Sequence, residues 1–183
     1  MLMCRNSIVG AERRVTEGRT LAASAIRFLM ATLALLAMPL SLFAAPTDAE
    51  QLDRMFERST LQIATPDARL HTFHIWIADN DARRERGLMF VRQLEPDAGM
   101  LFIYESPQSI AMWMKNTKIP LDMLFVAANG RVMRVAEHTE PESLKTIESG
   151  SNVIGVIELN AGTAAKLNIK AGAVVMHPAF SHG

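Results

Sequence analysis

Cysteine is nearly absent from this chain: the single one, Cys4, lies in a segment expected to be removed. Without it there is no disulfide, no thiolate nucleophile and no cysteine-based metal site. Other chemical signatures are missing too: HExxH, a close histidine pair on a helix, an acidic calcium loop, GxSxG and a Gly-rich phosphate loop. His71 and His74 are three apart, so on a strand they point to opposite faces, and His138, His177 and His182 are scattered. No metal and no cofactor is therefore expected. Ser106, Ser109, Ser143, Ser149 and Ser151 have no base nearby in sequence. A triad can still assemble from distant segments, so these absences weaken an enzymatic reading without removing it. There is no internal repeat and no low-complexity tract.

One long hydrophobic run is present. Phe28–Phe43 is uncharged, Arg27 abuts it, Arg5, Arg13, Arg14 and Arg19 lie upstream, and Ala44-Ala45-Pro46 follows. Positive flank, apolar stretch and small-residue exit form the three-part pattern of a secretory signal peptide. The run contains Pro39 and is shorter than the ~20 residues of a spanning helix, which favours cleavage over a membrane anchor. Export to the periplasm or the exterior is expected, with no membrane span after cleavage. No cysteine follows the run, so a lipid anchor on a mature N-terminal cysteine is excluded. Loss of residues 1–45 removes five basic and two acidic residues and leaves 14 basic against 17 acidic. Nucleic acid is therefore not an expected partner, because its binders concentrate Lys and Arg.

The 183 residues suit one domain. The expected layout is a signal peptide over 1–45, a loose polar leader over 46–59, one β-rich domain over 60–177 and a tail over 178–183. His71–Ile77 is rich in β-formers, with Phe73, Ile75 and Ile77 on one face and Thr72, His74 and Trp76 on the other. A short helix should follow, capped by Asp79 or Asn80 and ended by Gly87, with Arg83, Arg84 and Arg86 in its last turn. Gly99–Tyr104 and Ile110–Met114 are predicted as separate strands. Leu121–Ala128 and Arg131–His138 flank Asn129-Gly130, the preferred filling of a two-residue type I′ hairpin. Val153–Leu159 is apolar on both faces, as in a central strand. Asn160 is placed to cap a second short helix through Leu167, with Asn168 at its exit, before a last strand over Ala173–Met176. The predicted fold class is mainly β (α+β), a compact barrel- or sandwich-like domain with two short helices.

The hairpin register singles out acids. A two-residue turn puts Asp122 opposite Glu137, and like charges so placed want a cation or a shared proton. Lys115 is the natural counter-charge. The alternative is that Glu137 sits in water at a frayed end, or that a bulge separates the pair. Glu158 is a further candidate: it follows Ile154 and Val156 on an apolar face, and buried acids need a partner. A structural ion pair is as good an explanation as a functional role. Met112 and Met114 lie two apart, near Met89 and Met100, and thioethers suit Cu(I), although core packing is the preferred reading.

Three segments together resemble the DUF192 (UPF0127) family: Glu85–Phe90, Gly99–Phe102, and Trp113–Thr117 with Ile119–Asp122. Leu159–Thr163 and Asn168–Gly172 resemble its closing segment. The resemblance spans about residues 60–177 and implies a compact β-rich fold, exported or envelope-associated, with no established activity. The family's recognisable residues fall on Arg86, Gly87, Met89, Trp113, Lys115, Asn116, Thr117, Pro120, Asp122 and Glu158. One departure is Gly172-Ala173, where the family often has Gly-Asp. The preferred reading is a non-enzymatic binding module whose cleft takes a small anionic ligand or a protein partner's peptide terminus. Arg86, Met89, Trp113, Lys115, Asn116, Thr117, Asp122, Glu137 and Glu158 would line it. A hydrolase or lyase using Asp122 or Glu158 with Lys115 is the second reading, and Cu(I) handling the third.

Overall fold

The structure is a computed structural model that describes residues 45–180. Cys4 and nearly all of the expected signal peptide lie outside the described residues, as do the last three positions. In chain order the elements are α1 (Asp48–Asp53), β1 (Glu57–Ala64), β2 (Leu70–Ala78), α2 (Asp81–Arg86), β3 (Ala98–Met112), β4 (Leu121–Val126), β5 (Val132–Thr139), β6 (Ile147–Asn160), α3 (Thr163–Lys166) and β7 (Val174–Met176). No helix among the described residues is long and apolar enough to cross a membrane.

The seven strands form one sheet in the order β5-β4-β6-β3-β2-β1-β7. Neighbours run antiparallel except β2 and β3, which are parallel. The sheet curls until its edges touch. Arg131 bridges Val174, the Val132 amide donates to the Ala173 carbonyl at 2.8 Å, and the Val175 amide donates to the Gly130 carbonyl at 2.8 Å. Closure satisfies backbone groups that an open edge would leave unpaired. The mainly β, barrel-like expectation is thus met.

Alternation along the strands sorts the core into two clusters, one on each face. Phe73, Ile75 and Ile77 of β2, Leu101 of β3, Leu124 of β4 and Ile157 of β6 form one. Trp76, Met100, Phe102, Met123, Phe125 and Val156 belong to the other, which α1 and the segment after α2 cover. Ile154 packs with the first cluster and Val156 with the second, because the β3–β6 register shifts between Ile103 and Gln108. Gly99 sits where a Cβ would lie 2.6 Å from the Glu158 carbonyl oxygen and 2.7 Å from Leu159 Cδ2, so the tight β3–β6 contact leaves no room for a side chain.

Four expectations need correcting. The leader over 46–59 carries α1, closed by a capping box between Thr47 and Glu50, and it buries Leu52 and Phe56. Asp48 accepts from the Arg92 and Gln93 amides, and Asp53 accepts from Trp76 Nε1 at 2.8 Å, so acids at both ends of α1 hold it to the domain. The two strands expected over 99–114 are one strand of 15 residues, bent by register shifts rather than broken. The hairpin is not a two-residue turn. The Gly130 amide donates to the Ala127 carbonyl, Val126 pairs with Val132, and Gly130 takes φ +76° while Asn129 stays outside the left-handed region that a type I′ turn demands of both residues. Finally, Asn160 does not cap α3. Its side-chain amide donates to the Leu94 and Glu95 carbonyls instead.

Asp122 takes that capping role. The β4–β5 register jumps from Met123↔Ala136 to Leu121↔Thr139, leaving Asp122 across from a bulge in which His138 has φ +50°. Its Oδ1 accepts from the His138 amide and its Oδ2 from the Ala164 amide, both at 2.9 Å, and the residue is fully buried. One carboxylate thus fixes both the bulge and the first turn of α3. Charge-assisted bonds of this kind contribute on the order of 1.5–3 kcal/mol each. Asp122→Ala should lower unfolding stability by about 3 kcal/mol in urea denaturation. A loss below about 0.5 kcal/mol would show that water replaces the carboxylate freely.

A candidate pocket around Glu158

Two short turns frame a cavity on the face that α2 covers. The first is the exit of α2. Asn80 caps the helix by accepting from the Arg83 amide, and Gly87 ends it at φ +43°. A Cβ on Gly87 would come within 3.1 Å of Phe102 Cζ, so glycine lets the chain cross the β3 ring closely as it turns. The second turn follows β3: the Thr117 amide donates to the Met114 carbonyl at 3.0 Å, and Asn116 takes φ +57°. The two are stapled where the Phe90 amide donates to the Asn116 carbonyl at 2.9 Å, while Asn116 Nδ2 lies 3.8 Å from Met89 Sδ.

Between them lies a cavity of about 350 Å³. Arg86, Met89, Trp113, Lys115, Thr117 and Glu158 all line it. Asn116 lines an adjoining cleft of about 360 Å³, which shares Arg86, Met89, Trp113 and Lys115. Seven of the nine residues singled out from sequence therefore converge. Asp122 and Glu137 do not. Asp122 serves the backbone as described, and Glu137 is exposed on a separate groove beyond the bulge. Lys115 is not the counter-charge of Asp122; its Nζ stands 5.1 Å from the centroid of the Trp113 ring.

Glu158 is the unusual group. It is 4 % exposed, paired across the sheet with Met100 of β3 and Met123 of β4, both fully buried. Among the described residues its carboxyl makes no hydrogen bond or ion pair. Burial in this apolar setting pushes its pKa up to about 8, so at neutral pH it is mostly a neutral acid with an O–H to offer. The structural ion pair that was the alternative explanation for Glu158 is not found among the described residues. Tyr104, the chain's single tyrosine, lines the same cavity. Burial raises the pKa of its phenol, Arg84 opposes the rise and Glu158 adds to it.

The cations differ in availability. Arg84 is committed: it pairs with Asp81 at 2.5 Å, donates to the Ile103 carbonyl at 2.7 Å and lies over the Tyr104 ring. Arg86 donates to the Gly87 and Met89 carbonyls and covers the Phe90 ring, and burial lowers its pKa. No carboxylate among the described residues lies within ion-pair distance of Arg86 or Lys115, although Glu85 lines both cavities with them.

Two other chemistries lose ground. Met112 lines this cavity, whereas Met114 is fully buried, accepts from Thr139 Oγ1 at 3.1 Å and faces the other groove, so Met89, Met112 and Met114 do not assemble into a thioether set. No cluster of metal-binding His, Cys, Asp or Glu occurs among the described residues. His177 Nε2 stands 3.1 Å from Ser59 Oγ, which resembles a hydrolase dyad. However, His177 Nδ1 accepts from the Ala179 amide, so Nε2 carries the proton and donates to Ser59 rather than activating it. Sequence reasoning missed Arg84 and Tyr104 as pocket residues. Their helical and strand positions were legible, but the close approach of α2 to β3 was not.

Comparison with known proteins agrees with this architecture. The DUF192 model, described as "Uncharacterized ACR", matches residues 62–177. This chain belongs to the DUF192 family. A candidate transcription regulator from Sinorhizobium meliloti 1021 is 37% identical, with a TM-score of 0.67, over 68% of this chain and 97% of that one. A Novosphingobium aromaticivorans DSM 12444 protein of unknown function is 32% identical, with a TM-score of 0.65, over 67% and 86% of the two chains. No curated protein matches.

The buried acid gives this DUF192 domain a pH signature. Between 4.5 and about 8 the folded chain keeps a proton on Glu158 that the unfolded chain has released. Stability should therefore fall as pH rises across that window and level off above it, by about 1.4 kcal/mol per pH unit at most. Glu158→Gln should lack this slope in denaturation curves taken from pH 5 to 9. Parallel curves for the two proteins would show that Glu158 titrates as it does in water.

Proposed function

We propose that this DUF192 protein is an exported binding module whose Glu158 pocket takes a small anionic ligand with an apolar body. The observation that carries the reading is the pairing of two cations that are in no ion pair among the described residues, Arg86 and Lys115, with a cavity of about 350 Å³ that Glu158 also lines. A cation with no carboxylate partner is available for a charge-assisted bond to an anion. Trp113, 49 % exposed, offers a stacking wall, Asn116 supplies a polar group in the adjoining cleft, and the buried Thr117 lines the cavity wall. Glu158 in its neutral form can donate to the ligand without repelling its charge. The description of the Sinorhizobium relative as a transcription regulator raises DNA binding, but 14 basic against 17 acidic residues beyond position 45 give no excess of basic charge to support it.

The address rests on the Arg27-flanked apolar run and its Ala44-Ala45 exit. Expressed with its leader in a Gram-negative host, the protein should be recovered from the periplasm with a mature N-terminus near residue 46 by mass spectrometry. Full-length protein in the cytoplasm would refute export. For binding, benzoate, phenylacetate and inorganic phosphate should be compared by thermal shift. The aromatic carboxylates should raise Tm in the wild type, and Lys115→Met should weaken that response about tenfold while folding normally. Equal response of the two proteins would remove Lys115 from the site.

A further inference from the structure

Anion binding explains Arg86 and Lys115 but not Glu158. A site that only held an anion would be served better by another methionine at position 158, matching Met100 and Met123 across the sheet. A carboxyl buried without a partner costs stability. Its position at the base of an accessible cavity is instead suited to moving a proton. Tyr104 supplies the complementary group. Its hydroxyl lies in the same cavity, with only a weak contact of 3.9 Å to Met112 Sδ, and is free to donate to an oxygen. The titratable and charged groups that share the cavity with Glu158 are Tyr104 of β3, Arg84, Glu85 and Arg86 of α2, and Lys115 beyond β3, and Met100 and Met123 flank it on the neighbouring strands.

Building on the anion-binding reading, we propose that the pocket is a proton-transfer site acting on a small carboxylate that carries an enolisable carbonyl. Arg86 and Lys115 hold the carboxylate, Tyr104 donates a hydrogen bond to the carbonyl oxygen, and Glu158 is the catalytic acid–base. Ionised Glu158 takes a proton from the carbon beside the carbonyl. The C–H bond breaks, an O–H bond forms on Glu158, and the electron pair moves onto the carbonyl oxygen as an enolate stabilised by Tyr104. Glu158 then returns the proton to the oxygen, giving the enol, or to the carbon, giving the ketone. No atom is gained or lost, and no oxidant, metal or second substrate is consumed. An acid whose pKa lies near the working pH suits both halves of this cycle.

Phenylpyruvate is the probe: a carboxylate, an enolisable carbonyl and an apolar ring in one molecule. The protein with its leader removed should accelerate ketonisation of the enol, followed by absorbance, and deuterium uptake at C3 in D2O, followed by NMR. The expected gain is about 100-fold or more over buffer. Glu158→Gln should lose that gain while still folding and still binding phenylpyruvate. Tyr104→Phe should lower kcat by about tenfold with little change in KM, and Lys115→Met should raise KM. Lys115-dependent binding without turnover in the wild type would overturn the proton-transfer inference and leave the binding module standing. Equal rates in wild type and Glu158→Gln would also overturn it. Absence of Lys115-dependent binding would remove both.

Discussion

The long β3–β6 ladder is the constraint on which the rest of this molecule depends. Strands of 15 and 14 residues pair antiparallel across two register shifts, and those shifts bend the pair instead of ending it. Bending lets the sheet curl until β7 and the start of β5 meet, which closes the interior around Leu101, Leu124 and Ile157. The same bend carries Phe102 and Tyr104 beneath α2 and brings Met112, at the far end of β3, to the same cavity. Gly99 makes the tight pairing possible at one end by leaving space for the Glu158 carbonyl. Fold closure and pocket shape therefore come from one deformation.

Much of this was legible in sequence wherever a local rule was strong. α2 lies between its expected cap Asn80 and its expected exit Gly87, because cap chemistry, helix dipole and glycine agree within eight residues. The split of Phe73, Ile75 and Ile77 from Trp76 held because β2 is regular. Errors gathered where a tertiary contact overrides the local rule. Asn129-Gly130 favours a type I′ turn, yet the Gly130 carbonyl also accepts from the Val175 amide and its positive φ serves a wider turn, so the sheet closure shapes that loop. Residues 46–59 are polar on average, but Leu52 and Phe56 face the core at the right spacing. Average polarity concealed that spacing.

The acids show the same lesson in chemical form. From sequence, Asp122 and Glu158 were both charges set in apolar strands, and nothing local told them apart. Asp122 meets two backbone amides and becomes part of the scaffold. Glu158 meets only methionines and a cavity, and its proton is held tightly as a result. Hydrogen-bond supply separates a structural carboxylate from one with chemistry to spare, and that supply is set by segments 16 to 42 residues away in sequence.

The two tryptophans occupy opposite circumstances, and this makes the domain its own optical instrument. Trp76, 4 % exposed and hydrogen-bonded to Asp53, should emit toward the blue and redden when α1 leaves the sheet. Trp113, half exposed beneath the Lys115 ammonium, should emit toward the red and respond to whatever enters the cavity beside it. One emission spectrum can therefore resolve undocking of the N-terminal helix from occupancy of the pocket, with no label attached.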